Sequence, residues 1–344
     1  MKLRNLLIAL VVLVAAAVAG CGGASDEKGG EAAASGGSGD KGTLSLVAYS
    51  TPQVVYDELI PAFGDTPKGE GVGFKTSFGA SGDQARAVEA GQKADVVTFS
   101  TEPDMTRLVD AGLVDSSWKN GPNNGLVTTS VVSFVVREGN PKNIKTWEDV
   151  LKPGIEVLTP NPFSSGAAKW NLLAGYGHAS DGGKNPQAGL DYVSELITDH
   201  VKVQDKSGRE ALQNFIGGNG DVLLSYEYEA ITANKNGEKL EYVIPDDTIK
   251  INIDIATTKD APAEAKSFLD YVLSEPGQKK FAEWGYRPVN EDVLAANKDK
   301  FPNPPGLFTI DDLGGWDKVN TDLFDIEGGA IAKIEEDAGV STAK

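Results

Sequence analysis

The chain has 344 residues, with 32 Lys and Arg against 50 Asp and Glu, and a net charge of −18. Apolar residues make up 40% and charged residues 24%, the balance of a globular protein rather than a disordered one. Such acidity leaves no broad basic face for phosphates, so nucleic acid is not an expected partner. The single Cys excludes an internal disulfide and a Cys-based zinc centre, and no metal or cofactor is expected.

In chain order, Lys2 and Arg4 precede an uninterrupted apolar run from Leu6 to Ala19. The run is shorter than the ~20 residues that span a bilayer, and it suits the core of an export signal. Val18, Ala19 and Gly20 then lead into Cys21, the sole Cys, in a pattern that resembles a bacterial lipobox. Residues 1–20 are therefore predicted to be a lipoprotein signal peptide, with Cys21 lipidated. Residues 21–42 carry Gly, Ser, Ala and charge and are predicted to be a flexible, lipid-anchored tether. The folded body is then extracytoplasmic, at the cell surface or in the periplasm, and meets the membrane only through the anchor.

Beyond the tether, apolar runs alternate with helical spacing. Leu44 to Tyr49, Phe74 to Phe78 and Asp95 to Phe99 read as strands. Pro52 opens a helix with Val55, Leu59 and Phe63. Ala85 with Val88, and Met105 with Leu108 and Val109, mark two more. Val127 to Arg137 is long and β-branched, suited to run from one lobe to the next. Ile155 to Leu158, Val201 to Val203 and Asp221 to Leu224 read as further strands, and Ile249 to Ala256 as a crossing back. Pro262 opens a helix through Phe268 and Leu273. The fold class is α/β, with parallel strands flanked by helices. The boundaries read as 43–126 for the first part of lobe 1, 127–248 for lobe 2, and 249–344 for the return to lobe 1 and the C-terminal helices.

Ligands of open α/β sheets bind at the carboxyl ends of strands. Three turns placed there share one grammar, a Ser followed by Gly at a helix start: Ser81 and Gly82, Ser165 and Gly166, Ser207 and Gly208. A helix start presents N–H groups without internal partners and the positive end of a dipole, and Gly admits a ligand close to that backbone. Three such ends on one cleft would hold a small anion without a full positive charge. Taken singly, each turn is equally an ordinary cap. Ser81 with Gln84, and Ser207 with Glu210, fit the capping box.

The segment from Thr159 through Asn161, Pro162, Phe163, Ser164, Ser165, Gly166, Ala167, Ala168, Lys169 and Trp170 to Asn171 resembles the signature of the bacterial sulfate-binding and thiosulfate-binding receptors. Landmarks in the same order support the resemblance: Ala94 to Thr98, Gly139 to Lys142, Gly220 to Leu223, Tyr286 to Pro288, and Leu307 to Asp311 with Trp316. It covers about residues 44–330. It implies the two-lobed, type II periplasmic-binding-protein fold, with a dianion in the cleft between the lobes and delivery to the permease subunits of an ABC importer. The implied function is a receptor for sulfate or thiosulfate, not an enzyme. Carried over by position, the implied ligand residues are Ser50, Ser81, Ser165, Gly166, Ala167, Gly208 and Tyr226. Thr51, Gly82, Ser164, Arg209 and Glu227 stand around them. The chain departs from the family pattern at Ser50, usually Asp, at Ala167, usually Gly, at Tyr226, usually Trp, and around Ser207, Gly208 and Arg209.

Three rival readings stand beside this one. A phosphate or other oxyanion receptor needs an acceptor for the retained proton, which Asp83 or Glu227 would supply; Glu227 would otherwise orient Arg209. An iron receptor would use Tyr226, Glu227 and Tyr228 with His178 or His200, but the two phenols are not expected to converge on one metal. A secreted serine hydrolase would pair Ser165 or Ser81 with His178, but the G-x-S-x-G elbow is absent. Trp118, Trp284 and Trp316 read as packing aromatics.

Overall fold

The computed structural model describes residues 41–121 and 123–342. The expected signal peptide, Cys21 and nearly all of the expected tether lie outside the described residues.

The body begins β1 (Thr43–Tyr49), α1 (Gln53–Gly64), β2 (Gly73–Gly79), α2 (Ser81–Glu89), β3 (Val96–Phe99) and α3 (Glu102–Asp110). β1 lies between β2 and β3 and runs parallel to both. The long β4 (Leu126–Arg137) leads to α4 (Trp147–Val150), β5 (Val157–Pro160), α5 (Gly166–Ala179), α6 (Pro186–Glu195), β6 (Val201–Asp205) and α7 (Gly208–Ile216). Then follow β7 (Val222–Tyr226), α8 (Glu227–Lys235), β8 (Leu240–Val243) and β9 (Asp247–Thr257). The chain closes with α9 (Ala263–Val272), α10 (Glu275–Glu283), β10 (Arg287–Pro288), α11 (Glu291–Ala296), β11 (Gly306–Phe308), α12 (Gly315–Val319) and α13 (Ala330–Asp337).

Strand order along the sheet is β2-β1-β3-β9-β4-β7-β5-β6. β4 serves both lobes. Residues Thr128 to Val131 pair antiparallel with β9, while Val132 to Val136 pair antiparallel with β7. That double duty explains its composition. Flanked on both sides and covered on both faces, the strand buries Val131, Val132, Phe134, Val135 and Val136 together with Thr128, Ser130 and Ser133, so it shows no alternation of buried and exposed positions. β9 makes the return, antiparallel to β3 at Asp254 to Thr257.

Each lobe has its aromatic centre. In the first, Phe268 of α9 meets Phe74 of β2 at 4.8 Å and Phe63 of α1 at 5.3 Å, both edge to face. In the second, Trp147 of α4 meets Phe134 of β4 at 4.8 Å. The strand expected at Ile155 to Leu158 lies two residues later, at Val157–Pro160. Lys152 and Gly154 turn the chain there, with Ile155 N–H donating to Lys152 O, so Ile155 belongs to the turn. Among the described residues no helix is long and apolar enough to cross a membrane.

Candidate functional site

The parallel pairing of β1, β2 and β3, and of β5, β6 and β7, puts the following turns at one end of each sheet. The starts of α2, α5 and α7 meet there. Gly82 N–H donates to Ser164 O at 3.1 Å, tying α2 to the turn before α5. A Cβ on Gly166 would lie 2.2 Å from Ser100 Oγ and 2.8 Å from Thr101 Cγ2, so α5 begins hard against the turn after β3. A Cβ on Gly208 would touch Thr51 Cγ2 at 3.4 Å and Ala167 Cβ at 3.7 Å, which seats α7 between α5 and the turn after β1. Ser50 and Thr51 are buried in that turn. The structure thus brings Ser50, Thr51, Ser81, Gly82, Ser164, Ser165, Gly166, Ala167 and Gly208 to one cleft.

The three serines differ in what their hydroxyls do. Ser207 is a true cap: its Oγ accepts from Glu210 N–H at 3.3 Å and donates to Glu210 Oε1 at 3.2 Å. Here the glutamate takes the hydroxyl proton, in place of the reciprocal backbone bond of a capping box. The capping box expected at Ser81 does not form. Ser81 is already inside α2, and its Oγ donates to Asp104 Oδ2 at 2.6 Å and accepts from Ser100 N–H at 3.0 Å. Gln84 turns instead to Ser77, whose Oγ donates to Gln84 Oε1 at 3.0 Å. Ser165 stands at the cap position of α5, 3% exposed, and its side chain makes no capping bond.

Tyr226 closes β7 and stands at the cap position of α8, 1% exposed, with its phenol oxygen unpartnered. Burial holds its pKa well above the ordinary phenol value, with the Tyr49 phenol adding to the rise and Ser100 opposing it. The rings of Tyr226 and Tyr228 pack against each other. Tyr228 falls in the first turn of α8, and the strand-to-helix bend packs the rings edge to face at 5.2 Å. Thr51 Oγ1 and the Tyr228 hydroxyl are hydrogen-bonded at 2.7 Å, and Tyr228 stacks on Tyr286 at 3.7 Å, so these phenols serve the wall of the cleft. Among the described residues no group of three or more His, Cys, Asp and Glu could hold a metal ion.

Glu227 does not orient Arg209. Its carboxylate is buried against Arg287: Oε2 accepts from Nη2 at 2.9 Å, and Oε1 accepts from Nε. Arg209 crosses the cleft to donate from Nη1 to Gln53 Oε1 at 2.9 Å, and its charge acts on the buried Glu229. Burial pushes the Glu229 carboxyl up to about 7, with Arg209 opposing. Asp83 is engaged by Arg86 on its own helix and by Lys206 Nζ of the other lobe at 3.1 Å. His178 bonds Glu148 Oε1 at 3.0 Å and also Asp247. It sits near the far end of α5 from Ser165, about 20 Å away by helical rise, so the two form no nucleophile–base pair. His200 is buried, its Nδ1 at 3.0 Å from Ile155 O.

Trp316 is a packing aromatic, edge to face with Trp170 at 4.8 Å. A cavity of about 480 Å³ opens along the rim of the cleft, between Gly82 and Asp104 on one side and Ser165, Gly166 and Lys169 on the other. Sequence reasoning missed Ser100 and Thr101, both buried here. The signal was available, since they directly follow a strand of the parallel sheet; they lack the glycine that marked the other turns.

The family described as bacterial extracellular solute-binding protein matches residues 44–287. The sulfate-binding protein of Synechococcus elongatus is 38% identical over 316 residues, spanning 88% of this chain and 89% of that protein. The thiosulfate-binding protein of Pseudomonas aeruginosa is 34% identical, over 84% of this chain and 90% of its own length. The solved structure of the sulfate-binding protein SubI from Mycobacterium tuberculosis H37Rv superposes with a TM-score of 0.80 at 49% identity, over 82% of this chain and 99% of that one.

Proposed function

Since the chain belongs to the bacterial extracellular solute-binding proteins, and among them to the sulfate- and thiosulfate-binding family, we propose that it captures sulfate or thiosulfate between its two lobes. The observation that carries this is the meeting of three Ser-Gly helix starts, from α2, α5 and α7, with buried hydroxyls from both lobes. The groups offered are N–H and O–H donors, which suit an anion that is fully ionised and needs only donors.

Ser165 Oγ and the N–H groups of Gly166 and Ala167 form one arm of the site, and Gly208 N–H forms a second. Ser81 serves through its backbone N–H, because its hydroxyl proton is held by Asp104. Ser50 offers its N–H from the turn after β1, and Tyr226 its phenol. Thr51, Gly82, Ser164 and Arg209 hold the lobes together around these donors. Phosphate fits less well. The two carboxylates expected to accept its proton are engaged elsewhere, Asp83 with Arg86 and Lys206, and Glu227 with Arg287.

In the same reading, the lobes comprise residues 43–126 with 249–344, and 127–248. Cys21 carries the lipid, residues 21–42 form the tether, and the permease subunits of an ABC importer receive the anion. Calorimetric titration with sulfate, thiosulfate, molybdate and phosphate tests the proposal. Saturable 1:1 binding of sulfate or thiosulfate, with weaker phosphate, is expected; tighter phosphate binding, or no heat with either sulfur oxyanion, would overturn it.

A further inference from the structure

Ser100 is one of the two buried residues of the cleft that no motif marked, and its backbone contacts are well defined. It follows β3 directly. Its N–H donates to Ser81 Oγ at 3.0 Å, and its carbonyl accepts from Trp170 Nε1 at 2.5 Å. The first partner stands at the start of α2 in one lobe and the second in α5 of the other. The Ser100 backbone is therefore clamped from both sides of the cleft.

Its side chain is not clamped. Ser100 is 1% exposed, yet Oγ has no hydrogen-bond partner. The oxygen is aimed at the first turn of α5, where a Cβ on Gly166 would come within 2.2 Å of it. Tyr226, 1% exposed, brings a second buried hydroxyl oxygen close enough to Ser100 that Ser100 opposes the rise in its pKa that burial causes. Two buried hydroxyls whose nearest polar company is each other leave hydrogen-bonding capacity unused, which is costly unless a further group takes it up. Only the missing side chain of Gly166 lets the Ser100 hydroxyl approach the first turn of α5 this closely, where the N-terminal N–H groups and dipole favour an anion.

We propose that Ser100 is a ligand-binding residue: its hydroxyl and the Tyr226 phenol act as a couple that donates to one oxygen of the bound anion at the start of α5. The proposal rests on the sulfur-oxyanion reading above and adds a donor to it from the β3 turn. The couple also bears on selection. Thiosulfate replaces one oxygen with sulfur, a weaker hydrogen-bond acceptor, and can turn that atom toward a corner that has lost its donor. Ser100 thus favours sulfate over thiosulfate.

The test is calorimetric titration of the full chain, Ser100→Ala, Tyr226→Phe and the double variant with sodium sulfate and sodium thiosulfate, plus melting curves without ligand. Ser100→Ala is expected to weaken sulfate at least ~10-fold, as for a lost hydrogen bond to a charged group, and thiosulfate by less. The double variant is expected to fall short of the product of the two single losses, because the hydroxyls serve one oxygen. The ligand-free melting midpoint of Ser100→Ala should match or exceed that of wild type, since a buried unpartnered hydroxyl is removed. Sulfate affinity of Ser100→Ala within ~2-fold of wild type would overturn the proposal. Equal losses for both anions with a lowered ligand-free midpoint would return Ser100 to a structural role. If wild type itself binds neither anion, the receptor reading falls first; if wild type binds and Ser100→Ala is unchanged, only the present inference falls.

Discussion

The hydroxyl of Ser81 donates to Asp104 Oδ2 at 2.6 Å, and the same carboxylate oxygen accepts from Thr101 Oγ1 at 2.9 Å. This bond joins the first turn of α2 to the first turn of α3 and removes the Ser81 proton from the cleft. Ser207 spends its hydroxyl on Glu210, so Ser165 is the serine of the three turns whose hydroxyl has neither use.

The three serines should therefore separate on alanine substitution. Ser165→Ala is expected to weaken sulfate ~10-fold or more while the ligand-free protein melts as wild type. Ser207→Ala should cost about 1 kcal/mol of stability, the usual worth of a cap, with affinity nearly intact. Ser81→Ala strips one donor from Asp104 and should also lower stability first. Titration and thermal melts on all three decide this; near-wild-type affinity in Ser165→Ala would contradict the role given to it.

Glycine at 166 is predicted to matter more than glycine at 208. Ala at 166 would bring Cβ to 2.2 Å from Ser100 Oγ and 2.8 Å from Thr101 Cγ2, across the two lobes. Overpacking of this kind costs about 1–3 kcal/mol, equivalent to roughly 5–150-fold in affinity if it opposes closure alone. Gly208→Ala meets only ordinary contacts, at 3.4 and 3.7 Å, and should bind within a few-fold of wild type. Titration of both variants, with small-angle scattering to follow compaction on adding sulfate, checks the pair.

The ion pair of Glu227 and Arg287 is buried and further held by Pro302 O, which accepts from Arg287 Nη2 at 2.8 Å. It ties α8 to β10. Removing one partner strands the other charge, at a typical cost of about 3–5 kcal/mol. Glu227→Ala should lower the urea midpoint accordingly, while any folded fraction keeps its sulfate affinity. An affinity loss without destabilisation would place Glu227 in the ligand site instead.

Burial raises the Glu229 carboxyl from 4.5 to about 7, and that of Glu335, whose Oε2 accepts from Gln204 Nε2 at 2.7 Å, to about 7. For an acid raised on folding, the folded state holds the proton more tightly than the unfolded state. Its protonated form favours folding below pH ~4.5, and that advantage is lost as pH climbs toward ~7. Ligand-free stability should thus decline between pH ~5 and ~7, by up to about 3 kcal/mol for Glu229. Glu229→Gln should flatten part of the decline and Glu335→Gln another part. Urea melts at stepped pH measure it; an unchanged slope in Glu229→Gln would show that its carboxyl titrates normally.

Much of this molecule can be read from local pattern. The alternation of β-branched runs with helical spacing places β1, β2, β3, β4, β7 and β9 to within a residue or two, because period and composition report directly on which faces are buried. The three Ser-Gly turns stand out because helix starts need small, polar residues next to one another. The shorter elements, such as β8 (Leu240–Val243) and β10 (Arg287–Pro288), carry too few residues to show a period.

The use of each polar group was decided only in three dimensions. Glu227 and Arg287 are 60 residues apart, and Ser81 and Ser100 are 19 apart. Nothing in a turn's own sequence tells whether its hydroxyl will meet a carboxylate, an amide or a ligand. A helix start by itself determines that N–H donors are offered, since every helix leaves them unpaired. Which oxygens take up the neighbouring hydroxyls depends on packing, which set Asp104 beside Ser81, Arg287 beside Glu227, and Ser100 Oγ against the start of α5.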